Sequence, residues 1–317
     1  MTVDLRVRLG GLRLANPVLV AAGTFGYGLE FSHAVRLDEI GALVTKTVTL
    51  KPREGNPPPR LIETASGMLN SVGLQNVGLD AFLSEKLPKL AALPVPVIVS
   101  VLGDTLGEIQ ELCGRLDKEA TVAAIEINLS CPNEMRRHDP TNKWRIDMVA
   151  QEAGATRDMV EAARRATGKP LIAKLTPDVT DIRPIAQAAE AAGADALTLC
   201  NTFTGMSLDP RTRRSRLGAL TGGVSGPAIK PLSLYRVWLA HQAVRCPVIG
   251  LGGILNEEDA LEFFLAGASA VALGTANFRD PAAAVKLVRR LRRRLERDGV
   301  ASVSELIGGV QADAVSA

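Results

Sequence analysis

The run Glu126-Ile-Asn-Leu-Ser-Cys-Pro-Asn133 sets a thiol, Cys131, between two carboxamides, Asn128 and Asn133, where an apolar stretch opens into a loop. A carboxamide offers a donor and an acceptor together, which suits the imide edge of a pyrimidine-like ring. A loop cysteine of lowered pKa serves as nucleophile or as a proton-abstracting base. Asn70 and Asn201 extend the pattern, the second again closing an apolar run. Asparagine is ordinarily a turn residue. Four carboxamides gathered at one mouth imply a ligand with several amide or imide groups.

Two lysines stand in equally unusual places. Lys46 and Lys174 each end an apolar run, where burial without an anionic partner is costly. Aimed at one pocket, they would neutralise a flavin ring's N1–C2 region, a phosphate or a substrate carboxylate. Near the C-terminus, Gly252-Gly253 and Gly274-Thr275 each follow an apolar run. Bare backbone N–H groups at consecutive strand ends form a phosphate site in many α/β barrels. The histidines, His33, His138 and His241, show no HxH or HExxH spacing, which argues against metal catalysis. The four cysteines lack CxxC spacing, so a zinc ribbon or iron–sulfur cluster is not expected within the chain. Cys113 and Cys246 read as packing residues. Cys200 directly precedes Asn201, and strand alternation would turn one of these two away from a shared pocket.

The elements that must position these groups are legible as eight apolar runs: Pro17–Ala22, Ala42–Lys46, Pro96–Leu102, Ala123–Asn128, Pro170–Leu175, Ala194–Asn201, Pro247–Gly250 and Ala268–Gly274. Runs without polar interruption are how parallel strands buried on both faces read. Amphipathic stretches such as Thr180–Ala192, Pro227–Ala243 and Glu257–Ala266 separate several of them. Eight alternating units predict a TIM (β/α)8 barrel. An open doubly wound sheet lacks support, because no GxGxxG follows the first run. Val3–Leu14, turning at Gly10-Gly11, reads as a β-hairpin capping the barrel bottom. One domain is expected to span residues 1–317. Three connections exceed what barrel loops need, Thr49–Leu79, Cys131–Thr156 and Asn201–Gly226, and all leave the C-terminal ends of strands, where barrel enzymes place their sites.

Composition bounds the function classes. A formal charge of +3 and 3% aromatic residues argue against nucleic-acid or membrane-surface binding. The basic stretch Lys286–Arg297 carries Val288, Leu291 and Leu295 at helical spacing and reads as the last barrel helix with a solvated face. No apolar stretch reaches the roughly 18 residues of a membrane span, and the N-terminus shows no signal or anchor pattern. A cytoplasmic enzyme with free thiols is the expectation.

Taken as a set, the motifs resemble those of the dihydroorotate dehydrogenases, in particular the class 1B catalytic subunit, from about residue 4 to about residue 310. They are Asn16-Pro-Val18, Gly23-Thr-Phe-Gly26, Thr45-Lys-Thr47, Gly55-Asn-Pro57, Gly67-Met-Leu-Asn-Ser-Val-Gly-Leu-Gln-Asn76, Asn128-Leu-Ser-Cys-Pro-Asn133, Lys174-Leu-Thr-Pro177, Asn201-Thr202, Gly222-Gly-Val-Ser-Gly-Pro-Ala-Ile-Lys-Pro231, Gly252-Gly253 and Gly274-Thr-Ala-Asn-Phe278. The resemblance implies FMN in the barrel mouth, its phosphate on Gly252, Gly253, Gly274 and Thr275. Ala22, Gly23, Lys46, Thr47, Ser100, Asn128, Lys174, Cys200 and Gly226 would surround the rest of the flavin. Dihydroorotate would be bound by Lys46, Asn70, Ser71, Val72, Gly73, Leu74, Asn128, Asn133, Asn201 and Thr202. Cys131 would be the base in oxidation to orotate, a step of pyrimidine biosynthesis. A homodimer of this chain is implied, within a heterotetramer whose second subunit carries FAD and a [2Fe–2S] cluster and passes electrons to NAD.

Two departures stand out. Ala22 and Ser100 occupy positions where Ser and Asn are expected around the flavin. After Asn133 comes Glu134-Met-Arg-Arg-His-Asp-Pro-Thr-Asn-Lys-Trp-Arg145 in place of a Gly-Gly-rich loop. Rival readings are a dihydropyrimidine dehydrogenase-like subunit acting on uracil or thymine, a class 1A-like enzyme using fumarate, and a non-catalytic phosphate-binding scaffold.

Overall fold

The computed structural model describes residues 3–130 and 148–311. Eight parallel strands close into a barrel, and they neighbour one another in chain order around the ring: Val18–Val20, Ala42–Val44, Val97–Val101, Val122–Asn128, Leu171–Lys174, Ala196–Leu199, Val248–Leu251 and Ala268–Leu273. They are the first to eighth barrel strands below. Each corresponds to one of the apolar runs, and nearly all their residues are buried, as both-face burial requires. Several strands stop one or two residues before the apolar run ends. Ala21-Ala22, Thr45-Lys46 and Cys200-Asn201 lie just past the strand ends, at the mouth, where Ala21, Thr45, Cys200 and Asn201 still donate backbone hydrogen bonds to neighbouring strands or the residues that follow them.

The helices pack as their spacing demands. In Leu106–Asp117, Ile109, Leu112, Cys113 and Leu116 face the core, and the Thr105 hydroxyl caps the start by accepting from the Glu108 N–H. Glu257–Leu265 opens with a capping box between Asn256 and Asp259. The long helix Ala283–Asp298 buries Leu287, Val288, Leu291 and Leu295 and ends at Gly299, whose φ of 73° supplies the left-handed turn. Among the described residues no helix is long and apolar enough to cross a membrane.

At the barrel's N-terminal end, Val7–Leu9 pairs with Leu12–Leu14 in the expected hairpin. Gly10 at its turn has φ +58°, and a Cβ there would lie 2.5 Å from Asp195, just before the sixth strand. The hairpin therefore closes the bottom. At the opposite end the long second and sixth connections, expected from the sequence only as overlong loops, do not stand apart. They are instead woven together. Phe203–Gly205, Gly222–Ser225, Gly67–Asn70 and Leu61–Thr64 form, in that order, one antiparallel sheet, with Asn70 opposite Gly223.

Candidate active site

An open cleft of about 1190 Å³, counted out to solvent, occupies the C-terminal mouth. The seventh and eighth strands, adjacent in the ring, deliver Gly252-Gly253 and Gly274-Thr275 side by side. The fourth, fifth and sixth deliver Asn128, Lys174, Cys200 and Asn201 from the other side, and the second adds Lys46 and Thr47. Ala22, Gly23 and Gly226 complete the surround, while Asn70, Val72, Leu74 and Thr202 descend from the loop sheet and its flanks.

The glycine side has the properties of an oxyanion cradle. Among the described residues, the backbone N–H groups of Gly252, Gly253, Gly274 and Thr275 donate to no acceptor, and backbone donors are rarely left so. A Cβ on Gly274 would meet only Leu251 and Thr24, both lining residues, at 3.8 Å, and one on Gly23 would meet nothing within 4 Å. These two glycines keep bare backbone against the open space. Gly252 and Gly253 are different. With φ of +131° and +78°, they let the chain pass the preceding helix, Lys230–Ala243, since a Cβ on Gly253 would come within 2.8 Å of Lys230 backbone atoms.

The other side is polar and cationic. Thr47 Oγ1 and Ser100 Oγ are 3.0 Å apart, Asn128 Nδ2 donates to Thr47 Oγ1 at 3.3 Å, and Asn201 Nδ2 donates to Ser130 O and Oγ at 2.9 and 3.0 Å. The Asn201 carboxamide oxygen accepts from the Thr202 N–H at 2.8 Å. Asn70 Nδ2 donates to Gly223 O at 3.1 Å, which joins it to the sheet. This network fixes the amide orientations before any ligand arrives. Lys46 and Lys174 contribute two positive charges, and no Asp or Glu is among the described lining residues. Lys174 is only 4% exposed. The cleft is built for an anion.

Three predicted contact residues stand back from it. Ser100 is fully buried behind Thr47 and holds that hydroxyl. Ser71 is also buried and accepts from Asn56 Nδ2 at 2.7 Å, because in extended backbone it turns away from the face shared by Asn70 and Val72. Gly73, at φ +71°, serves the turn, since a Cβ there would strike Asn56. Cys131, Asn133 and His138 lie outside the described residues, as does most of the 131–156 connection. Cys200 and Asn201 both line the cleft, against the alternation argument, just beyond the sixth strand's last residue, Leu199. The Cys200 thiol, donating to Ser233 Oγ at 3.4 Å, is pushed up to about 11 by burial. Burial likewise lifts Cys113 and Cys246 to about 12.

Residues the sequence reading passed over include Ser130, which binds both Asn128 and Asn201, and Ser225, which accepts from the Thr275 hydroxyl at 2.8 Å. Both sit inside quoted motifs, so proximity to Cys131 and Gly226 was the available signal. Exposed Phe278 and Leu61 add apolar surface at the rim.

A closed parallel barrel with a glycine cradle, two lysines and a carboxamide network at its C-terminal mouth defines a barrel enzyme for an anionic, amide-rich ligand. The dihydroorotate dehydrogenase family model matches residues 4–295. Dihydroorotate dehydrogenase B (NAD(+)), catalytic subunit, from Pelobacter propionicus is 51% identical over 311 residues, covering 98% of this chain and 100% of that one. Its namesake from Geobacter sulfurreducens is 51% identical over 308 residues, covering 97% and 98%. Among solved structures, DHODH from Eimeria tenella in complex with ferulenol superposes with a TM-score of 0.76 at 27% identity, covering 96% of this chain and 88% of that one. The chain belongs to the dihydroorotate dehydrogenase family, and it is a flavin-dependent oxidoreductase.

Proposed function

We propose that the chain is the catalytic subunit of a class 1B dihydroorotate dehydrogenase, binding FMN and oxidising (S)-dihydroorotate to orotate. The observation that carries this reading is the division of one cleft into an anion cradle with unused N–H donors and a cationic, carboxamide-lined half without carboxylates. The residues fit FMN. Gly252, Gly253, Gly274 and Thr275 would hold its phosphate, and Lys174, Lys46, Thr47 and Asn128 would face the polar edge of its ring. When bound, FMN supplies the acceptor for the two electrons lost by the substrate.

This chain's own side chains do the rest. Asn70, Asn128, Asn201 and Thr202 hold the substrate's imide and carboxylate groups. Because their amides are already fixed by the network, orientation costs little when substrate arrives. Lys46 supplies charge for the substrate carboxylate. Cys131, next in chain to Ser130, takes the ring proton as general base. Water is displaced from the cleft by the ligand and by the apolar rim of Leu61, Val72 and Leu74.

Electrons leave through a partner. The relatives' names specify NAD(+) and a catalytic subunit, and the sequence has no dinucleotide fingerprint of its own. The arrangement that follows is a heterotetramer with an FAD and [2Fe–2S] subunit on a homodimer of this chain, in the cytoplasm. The deciding experiment is the visible spectrum of the purified protein under anaerobic conditions. Bleaching of a flavin band by dihydroorotate and not by dihydrouracil is expected. Bleaching by dihydrouracil alone would replace this substrate with a pyrimidine base, and a colourless protein that binds no FMN would remove the activity.

A further inference from the structure

Below the cleft, inside the barrel, lies a second, narrow void with room for roughly one water. Its walls are apolar except for three groups: Glu126, Lys174 and Thr198. Glu126 is 2% exposed. One of its carboxylate oxygens accepts from the Thr198 hydroxyl at 3.0 Å, and the other, Oε1, has no hydrogen-bond partner among the described residues. Lys174, in register with Thr198 on the next strand, also lines this void, and its ammonium makes no hydrogen bond or ion pair of 4 Å or less among the described residues. A buried acid with an idle oxygen and a buried base with an idle ammonium thus share one small cavity. Neither is stable alone in such surroundings.

We infer that Glu126 is the internal counter-charge of Lys174, the two bridged by a water in the void, and that it is a positioning residue for the flavin site. Its strand geometry supports this. Glu126 and Asn128 are two residues apart on the fourth strand and share the inward face, so Asn128 reaches the cleft while Glu126 lies one layer beneath. Among the described residues, Lys174 is the single one with a charged side chain that lines both spaces. From above it meets whatever anion occupies the cleft, and from below it meets Glu126. Its charge toward the cleft is accordingly divided, and its stem is tethered at a fixed height. Glu126 never touches substrate or flavin, so its effect passes through Lys174.

The inference rests on the reading that Lys174 faces the flavin ring, and the test separates the two. Glu126→Gln, Lys174→Met and the double variant are measured in two ways: flavin midpoint potential with FMN bound, and thermal melting of the FMN-free protein. Glu126→Gln removes a negative charge and should favour reduced over oxidised flavin by about tenfold, which is about +30 mV for a two-electron couple. Lys174→Met should shift it the opposite way, and the double variant, with no net charge change, should return near wild type. Without FMN, each single variant should melt lower than wild type and the double should recover most of the loss, because breaking a buried pair costs more than replacing it. If Glu126→Gln cannot be obtained folded, recovery of a folded protein by adding Lys174→Met meets the same expectation, and failure of that double variant overturns the pairing. Where Lys174→Met does shift the potential, a Glu126→Gln potential at the wild-type value, or a double variant that matches Lys174→Met alone, also overturns it. If Lys174→Met leaves the potential unchanged while the melting cycle shows coupling, the flavin placement fails and the pairing stands.

Discussion

Gly274→Ala separates folding from cofactor binding more cleanly than any other single change in the cleft. The added methyl would meet Leu251 Cδ1 and Thr24 Cγ2 at 3.8 Å, an ordinary van der Waals distance, and the backbone there is not left-handed. The stability of the FMN-free protein should therefore stay within about 0.5 kcal/mol of wild type, as for substitutions that create neither strain nor cavity. The methyl projects toward the open cradle, where a phosphate oxygen would approach the bare N–H groups. Forcing an extra carbon into a close-fitting contact costs about 1–3 kcal/mol, equivalent to a loss of roughly 5- to 150-fold in affinity. Titration of FMN into the FMN-free protein, followed by flavin fluorescence, measures it directly, and urea unfolding without FMN measures the stability. Riboflavin, which lacks the phosphate, should bind both proteins alike. Gly253→Ala is the contrast: its Cβ would sit 2.7–2.8 Å from Lys230 atoms at φ +78°, so its defect should appear as lost stability before any flavin is added. Wild-type FMN affinity in Gly274→Ala would refute the placement of the phosphate.

Three further outcomes are expected. Cys131→Ala should stay yellow and bind orotate, while flavin reduction by dihydroorotate in stopped flow falls by at least ~10², the lower range for loss of a general base; near wild-type rates would remove Cys131 from the reaction. The isolated chain should reduce artificial dyes with dihydroorotate but not NAD, and NAD turnover comparable to dye turnover would contradict the need for a partner. Buried Cys113 and Cys200 and half-buried Cys246 set an alkaline limit to stability: they hold their protons to about 12, 11 and 12, while the same thiols unfolded ionise near 9. Above about pH 9 the unfolded chain has lost protons that the folded one keeps, so this stability is complete below that pH and falls as pH rises; urea midpoints between about pH 8 and 10.5 should decline, less steeply in Cys113→Ala.

The barrel was legible because each of its strands is buried on both faces, so Val, Ile, Leu and Ala run without interruption and Gly or Pro marks the ends. The lysines and asparagines were legible for the converse reason, as polar groups where an apolar run predicts none. Ser100 and Ser71 could not be separated from their neighbours Thr47 and Asn70 in this way, because which of two adjacent small polar residues faces the cleft depends on local pleat and on what packs behind. Cys200 and Asn201 show the limit of pleat arguments, since both line the cleft just beyond the strand's end. Glu126 stood in the most informative octapeptide and still went unassigned, because its meaning comes from a void bounded by seven of the barrel strands. The loop sheet was invisible for a related reason. Its strands are three or four residues of mixed character, and the pairing that joins the two connections links residues as distant in sequence as Leu69 and Val224.

That sheet has a consequence for anyone who would exchange parts between relatives. The segment carrying Asn70 and the segment carrying Asn201 and Thr202 leave opposite arcs of the ring, yet backbone hydrogen bonds and the Asn70–Gly223 contact make them one fabric. A Cβ on Gly223 would fall 2.0 Å from the Thr202 hydroxyl and 3.3 Å from the Asn70 amide, so the two segments are cut to each other's shape at that point. On the proposed function, specificity is inherited as a pair of loops. A chimera that imports either 49–79 or 201–226 alone joins mismatched edges, whereas one that imports both carries the substrate-facing wall across whole.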